Sequence, residues 1–235
     1  MADVVLVHGA WHGAWCWRNL LPKLWTAGHR AFVLDLTGLG ARRHLYRPDL
    51  GLSDHVADVV ATLESEELER AVLVGHSYAG MVITDVAQRC GERLAALVYL
   101  DAVVPESGEA WSSTHSAATQ AERRALIAER GGLPPPDPAV FGLTGEDRAW
   151  VQRQHSLHPG GCYDEALHFD PSRWLALRRH FIDCTDPALP TIAASRERAR
   201  RQPGWQVHPL ATGHDAMISA PEALGQLLHG IASAA

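Results

Sequence analysis

The chain has 235 residues, 46% of them hydrophobic, enough to bury one substantial core with a small insertion and too few for two full domains. Its formal charge of -6 argues against a nucleic-acid partner, which needs a concentrated positive field. No run approaches the roughly 20 apolar residues of a membrane span, and Met1-Ala2-Asp3 leads straight into an apolar run with no room for a signal segment, so a cytoplasmic protein is expected.

Val4 to Val7 reads as a short buried strand that ends in a tandem repeat, His8-Gly9-Ala10-Trp11 followed by His12-Gly13-Ala14-Trp15. A glycine at a strand end lets backbone N–H groups come close to a ligand, as an oxyanion hole requires; the plainer alternative is a strand-to-helix turn. The second copy opens a helix through Trp17, Leu20, Leu21 and Leu24 to Gly28. Residues 31–34 make a second strand ending at Asp35. After a loop marked by Gly38, Gly40 and Pro48, Ser53 or Asp54 caps a helix through Val56, Val59, Val60 and Leu63. Residues 71–74 form a third strand, and a helix starts again near Met81. Gly75-His76-Ser77-Tyr78-Ala79-Gly80 is therefore a tight turn between them, in which side chains at 75 and 80 would collide with the neighbouring strand and helix. Residues 94–100 give a fourth strand, ending at Asp101.

The alternation then stops. Residues 104–171 carry Ser and Thr clusters, Gly131-Gly132, Pro134-Pro135-Pro136 and two helix-like pieces near 121–130 and 146–155, and they read as a lid inserted into a core formed by residues 1–103 and 172–235. Beyond it come a strand over 180–184, a helix over 192–201, a strand over 205–208 and a closing helix over 221–231. The basic run from Arg196 to Arg201 is expected to be a solvated helix end. Strands alternating with helices imply a mostly parallel sheet with helices on both faces.

In such a sheet the loops at the carboxyl ends of the strands share one crevice. Ser77 is a weak nucleophile until a base takes its proton, and His214, in Thr212-Gly213-His214-Asp215 just after the last strand, is placed to be that base. For the acid that orients the histidine, Asp186 is favoured, because it follows the strand after the insertion and keeps the order Ser, Asp, His; Asp101 and Asp183 are the competitors. Trp111, Phe141, Trp150 and Tyr163 of the insertion, with Gly9 and Trp11, are candidate substrate-binding residues. No metal or cofactor is expected: His8 with His12, and His155 with His158, have ligand-like spacing but no evident third ligand, and Cys16, Cys90, Cys162 and Cys184 lie too far apart for a C-x-x-C site.

His8 to Trp17, Gly75 to Gly80 and Gly213-His214-Asp215 resemble the α/β-hydrolase branch that holds plant methyl esterases, hydroxynitrile lyases and bacterial carboxylesterases, including pyrethroid-hydrolysing ones. The resemblance implies an α/β-hydrolase fold, a triad of Ser77, Asp186 and His214, and an oxyanion hole made by the N–H groups of Ala10 and Tyr78. It implies hydrolysis of a small hydrophobic carboxylic ester through an acyl-enzyme, with no cofactor and with a homodimer as an allowed assembly. The lyases of this branch carry threonine at the position of Gly9 and lysine after the catalytic histidine, where this chain has Asp215. The competing readings are a lactone or thioester hydrolase or a lyase on the same triad, and a small-ligand-binding protein without turnover.

Overall fold

The computed structural model describes residues 1–235. The first half alternates as expected: β1 (Asp3–Val7), α1 (Leu21–Thr26), β2 (Arg30–Val33), α2 (Leu52–Ser65), β3 (Ala71–His76), α3 (Ala79–Cys90) and β4 (Leu94–Leu100). The segment that follows holds α4 (Ala117–Arg130), β5 (Gly132–Leu133), α5 (Gly145–Gln154), β6 (His158–Pro159) and α6 (Pro171–Leu175), with β5 and β6 paired antiparallel. The alternation resumes with β7 (Arg178–Cys184), α7 (Ala193–Arg201) and β8 (Trp205–Leu210), then α8 (Ala216–Ser219) and α9 (Pro221–Ala234).

Six strands form one parallel sheet in the order β2-β1-β3-β4-β7-β8. Because successive strand residues point to opposite faces, β1 divides its side chains between two cores. Val5 and Val7 join Val56 and Val59 of α2 and Val82 and Val86 of α3 on one face. Val4 and Leu6 join Leu24 of α1 and Leu228 and Ile231 of α9 on the other. The central strands are buried on both faces, which is why 71–74 and 94–100 are continuous apolar runs rather than alternating ones.

Two helix starts differ from the sequence expectation. The helix expected from Trp17 to Gly28 is a 3-10 turn over Ala14–Trp17 followed by α1, which begins beside Pro22, a residue with no N–H to donate and so suited to a first turn. The cap of α2 is Gly51 rather than Ser53 or Asp54. The Asp54 carboxylate accepts from Gly51 N at 2.8 Å, while Glu165, from the long segment after β4, accepts from Leu52 N at 2.5 Å and Ser53 N at 3.2 Å. That segment is thereby tied to the core through free N–H groups of a helix end.

Candidate active site

At the junction of β3 and α3, Ser77 adopts the left-handed conformation with φ 56°, which turns its side chain out of the strand-to-helix bend. The bend is packed too closely for a side chain at its last position: a Cβ on Gly80 would lie 1.9 Å from the Val103 carbonyl oxygen. The Ser77 carbonyl accepts from Val103 N at 3.0 Å and Gly80 N at 3.1 Å, so the end of β4 braces the turn. Gly9 meets a similar restriction, since a Cβ there would stand 2.9 Å from Ser77 Cβ and 2.8 Å from His76 Nδ1. The loop after β1 therefore lies with its backbone against the serine, and Ala10 is the next residue.

His214 is buried and held in place through its backbone, its N–H donating to Phe141 O at 3.0 Å. Its Nδ1–H donates to Asp101 Oδ2 at 2.7 Å. Asp186, favoured from the sequence as the acid partner, does not make this contact: it is exposed, and its backbone N–H joins Thr212 O while its side chain makes no hydrogen bond with His214. The reason lies in the strand ends. Asp101 continues the β4 to β7 pairing through its N–H to Ile182 O at 2.8 Å, then turns with φ 40° and leaves its carboxylate fully buried in the crevice.

The second Asp101 oxygen is also occupied. Arg196 Nη2 donates to Asp101 Oδ1 at 2.8 Å and its Nε donates to Asp183 Oδ1 at 2.5 Å, so one guanidinium bridges two buried carboxylates. Arg200 adds a second contact to Asp183. The expectation of a solvated basic helix end is thus corrected: Arg196 is buried, Arg198 pairs with Glu109, and only the outer residues of α7 face water. Asp183, a competitor for the acid, is committed to these arginines. Sequence reasoning missed Arg196; the signal was there in a basic residue one turn into a helix whose neighbouring positions, Ser195 and Ala199, are buried.

Asp215, next to His214, is buried with Oδ2 3.3 Å from His12 Nε2 and Oδ1 3.6 Å from His76 Nε2. His12 Nδ1–H also donates to Ala10 O at 2.8 Å, so both of its ring nitrogens face acceptors. Burial alone would lower the His12 pKa, but the Asp215 charge and hydrogen bond override it and hold the imidazolium above its ordinary range. Although burial by itself raises a carboxyl pKa, the same pairing with His12 drives Asp215 well below the usual carboxylate range. Ala10 is therefore fixed from behind by the His12 and Asp215 pair, which begins beside His214. The His8 and His12 spacing does not form a joint site, because His8 donates from Nδ1 to Gly9 O at 2.8 Å and accepts Leu36 N at 3.1 Å.

Ser77 and His214 open onto one cavity of about 220 Å³. Trp11, Trp111, Phe141, Val103, Leu189 and Ile192 give it an apolar wall, and Thr114, His115 and Arg123 add polar groups. Burial first, then Arg123, pushes the His115 pKa down to about 4. Of the substrate-binding residues expected from the sequence, Trp11, Trp111 and Phe141 line this cavity and three do not. Gly9 packs on Ser77 instead. Trp150 lies outside, edge-on to Trp15 with the Arg18 guanidinium 3.6 Å from its ring centre. Tyr163 is fully buried behind Trp111, their ring centres 5.6 Å apart. A larger, more open groove of about 430 Å³ between Phe169 and Trp174 contains neither Ser77 nor His214.

A serine on a strand-to-helix bend, a histidine after the last strand and a buried carboxylate against it meet at one end of a parallel sheet. The chain belongs to the alpha/beta hydrolase family, whose model matches residues 4–227. It is 38% identical to the carbendazim hydrolyzing esterase of Nocardioides sp. (strain SG-4G) over 97% of this chain and 98% of that one. It is 29% identical to methylesterase 10 of Arabidopsis thaliana over 97% and 91% of the two chains. An extracellular alpha/beta-hydrolase from a Paenibacillus species has the same fold, with a TM-score of 0.86 at 20% identity and coverage of 97% and 98%.

Proposed function

We propose that this chain hydrolyses a small carboxylic ester through a Ser77 acyl-enzyme, with His214 as base and Asp101 as the acid that orients it. The observation that carries this reading is the 2.7 Å contact of buried Asp101 with Nδ1 of His214, a residue that lines the same cavity as Ser77. The chain is a hydrolase of ester bonds by its family and its esterase relatives. His214 Nε2 takes the hydroxyl proton as Ser77 attacks the carbonyl carbon, then gives it to the departing alcohol; water reverses the sequence and frees the acid. The N–H groups of Ala10 and Tyr78 hold the oxyanion, Tyr78 heading α3 where helix donors are unpaired and Ala10 being fixed through His12. Residues 104–171 act as the lid, supplying Trp111 and Phe141 to the apolar wall.

Arg123 extends the reading to the substrate. It lines the cavity and its Nη1 is buried without a hydrogen-bond partner, which favours an ester carrying an acceptor away from the scissile bond. Carbendazim, named for the Nocardioides relative, belongs in the first panel beside p-nitrophenyl and aromatic methyl esters. We expect Ser77→Ala to lower kcat by a factor on the order of 10⁴ to 10⁶ with the fold intact, and a fluorophosphonate probe to label Ser77 in the parent protein. Turnover near the parent value in Ser77→Ala would remove the serine from the mechanism. Mandelonitrile cleavage above the buffer rate, dependent on Ser77 and without ester hydrolysis, would move the assignment to a lyase.

A further inference from the structure

A second group of chemistry-bearing side chains lies behind Tyr78, outside the catalytic set. His55 comes from α2, His158 from β6 and Cys162 from the turn that follows β6. All three are buried, and each presents a ligand atom within 4.8 Å of the others. His55 Nε2 lies 3.0 Å from Thr37 O; a carbonyl only accepts, so Nε2 carries the proton and Nδ1 is left with a lone pair. That lone pair faces Cys162 Sγ at 3.6 Å and the Tyr78 hydroxyl at 3.1 Å. Fixing one imidazole nitrogen on a carbonyl so that the other is free is how metal-binding histidines are commonly oriented. His158 is the anomaly. It is fully buried, yet neither of its ring nitrogens has a hydrogen-bond partner, a cost that folded chains seldom leave uncompensated.

We propose that His55 Nδ1, a ring nitrogen of His158 and Cys162 Sγ bind a divalent transition-metal ion of the zinc type, with the Tyr78 hydroxyl at the fourth position. Two neutral imidazoles and a thiolate suit such an ion. Bonds of about 2.0–2.1 Å to nitrogen and 2.3 Å to sulfur at tetrahedral angles set the N to S separation at about 3.6 Å, in agreement with His55 and Cys162. Binding releases the Cys162 thiol proton to solvent. The sequence hid this set because His158 pairs in the chain with His155, whereas His55 lies about a hundred residues away from His158 and Cys162. His158 and Cys162 belong to the segment between β4 and β7, and His55 to the core, so the ion fastens that segment down beside the catalytic loop. It takes no part in the ester chemistry.

The test uses the whole chain, stripped with a chelator and then titrated with Co²⁺ or Zn²⁺ salts. We expect one Co²⁺ per chain with a thiolate-to-cobalt charge-transfer band, displacement of that band by Zn²⁺, and a rise in Tm of a few degrees with excess Zn²⁺. Cys162→Ser and His158→Gln should lose the band and the Tm rise, while His214→Ala should keep both. That last variant separates this group from His76, His214 and Asp215, whose ligand atoms also lie within 4.8 Å of one another. Parent protein that binds neither ion overturns the site without any variant being needed. A band that survives Cys162→Ser, or is lost in His214→Ala, also overturns it.

Discussion

Asp101 and Asp186 both stand between Ser77 and His214 in the chain, so order alone does not choose between them, and of the two only Asp101 lies within hydrogen-bond distance of His214. Asp101→Asn should reduce kcat on p-nitrophenyl esters by roughly 10⁴, because only the residue against Nδ1 holds the histidine in the tautomer that accepts the serine proton. Asp186→Asn should stay within a few fold of the parent, as expected of an exposed turn carboxylate. The opposite ranking would return the acid to the strand end after the insertion. Asp215 illustrates a related point: the residue after His214 does not line the cavity but pairs with His12, which holds the Ala10 carbonyl.

At the scale of elements, α7 is fastened to the sheet by one buried guanidinium. Arg196→Met would leave Asp101 and Asp183 without that partner in a dry setting, and breaking a buried pair in this way costs about 3 to 5 kcal/mol. Urea unfolding measures it, and a loss below about 1 kcal/mol would mean that water takes the place of the arginine. The insertion has a gentler attachment. Glu165→Ala removes the acceptor for Leu52 N and Ser53 N at the start of α2, and should cost about 1 kcal/mol, the usual worth of a helix cap. A neutral result in the same unfolding experiment would show that the helix end is solvated instead.

Across the whole molecule the histidines govern the response to pH. His8, His29, His55, His76, His115, His155, His158, His180 and His208 all have pKa values lowered, with burial the leading cause in each. In the unfolded chain each titrates near about 6.5, so below that pH the unfolded state binds protons that the folded state refuses, and stability falls. Each such proton is worth about 1.4 kcal/mol per pH unit, less for His208, which is only half-buried. His12 acts in the other direction, its contribution complete below about 6.5 and lost as pH rises through its raised value. Asp215 contributes above about 3.9 and loses that contribution only as pH falls through its lowered value. Nine groups against one give a net loss on acidification, so Tm should drop steadily from pH 7 to pH 5. A flat or rising Tm over that range would contradict the neutral buried histidines.

By itself the sequence determined the parallel sheet, the bend at Ser77 and the placement of His214, because these rest on local signals: apolar runs whose length and branching suit buried strands, and glycines where backbone must pass close to backbone. Trp11 after the first strand and Trp111 and Phe141 in the insertion were legible as candidate aromatics, but nothing local distinguished them from Trp150 and Tyr163, which pack elsewhere. Only the tertiary structure decided which carboxylate meets His214, that Arg196 turns inward between Asp101 and Asp183, and that His55 lies beside His158 and Cys162. Each of these depends on the order in which strands neighbour one another and on how a long insertion folds back over the sheet. Contacts between residues about a hundred positions apart are set by packing over the entire core, and the periodicity of a short window does not contain them.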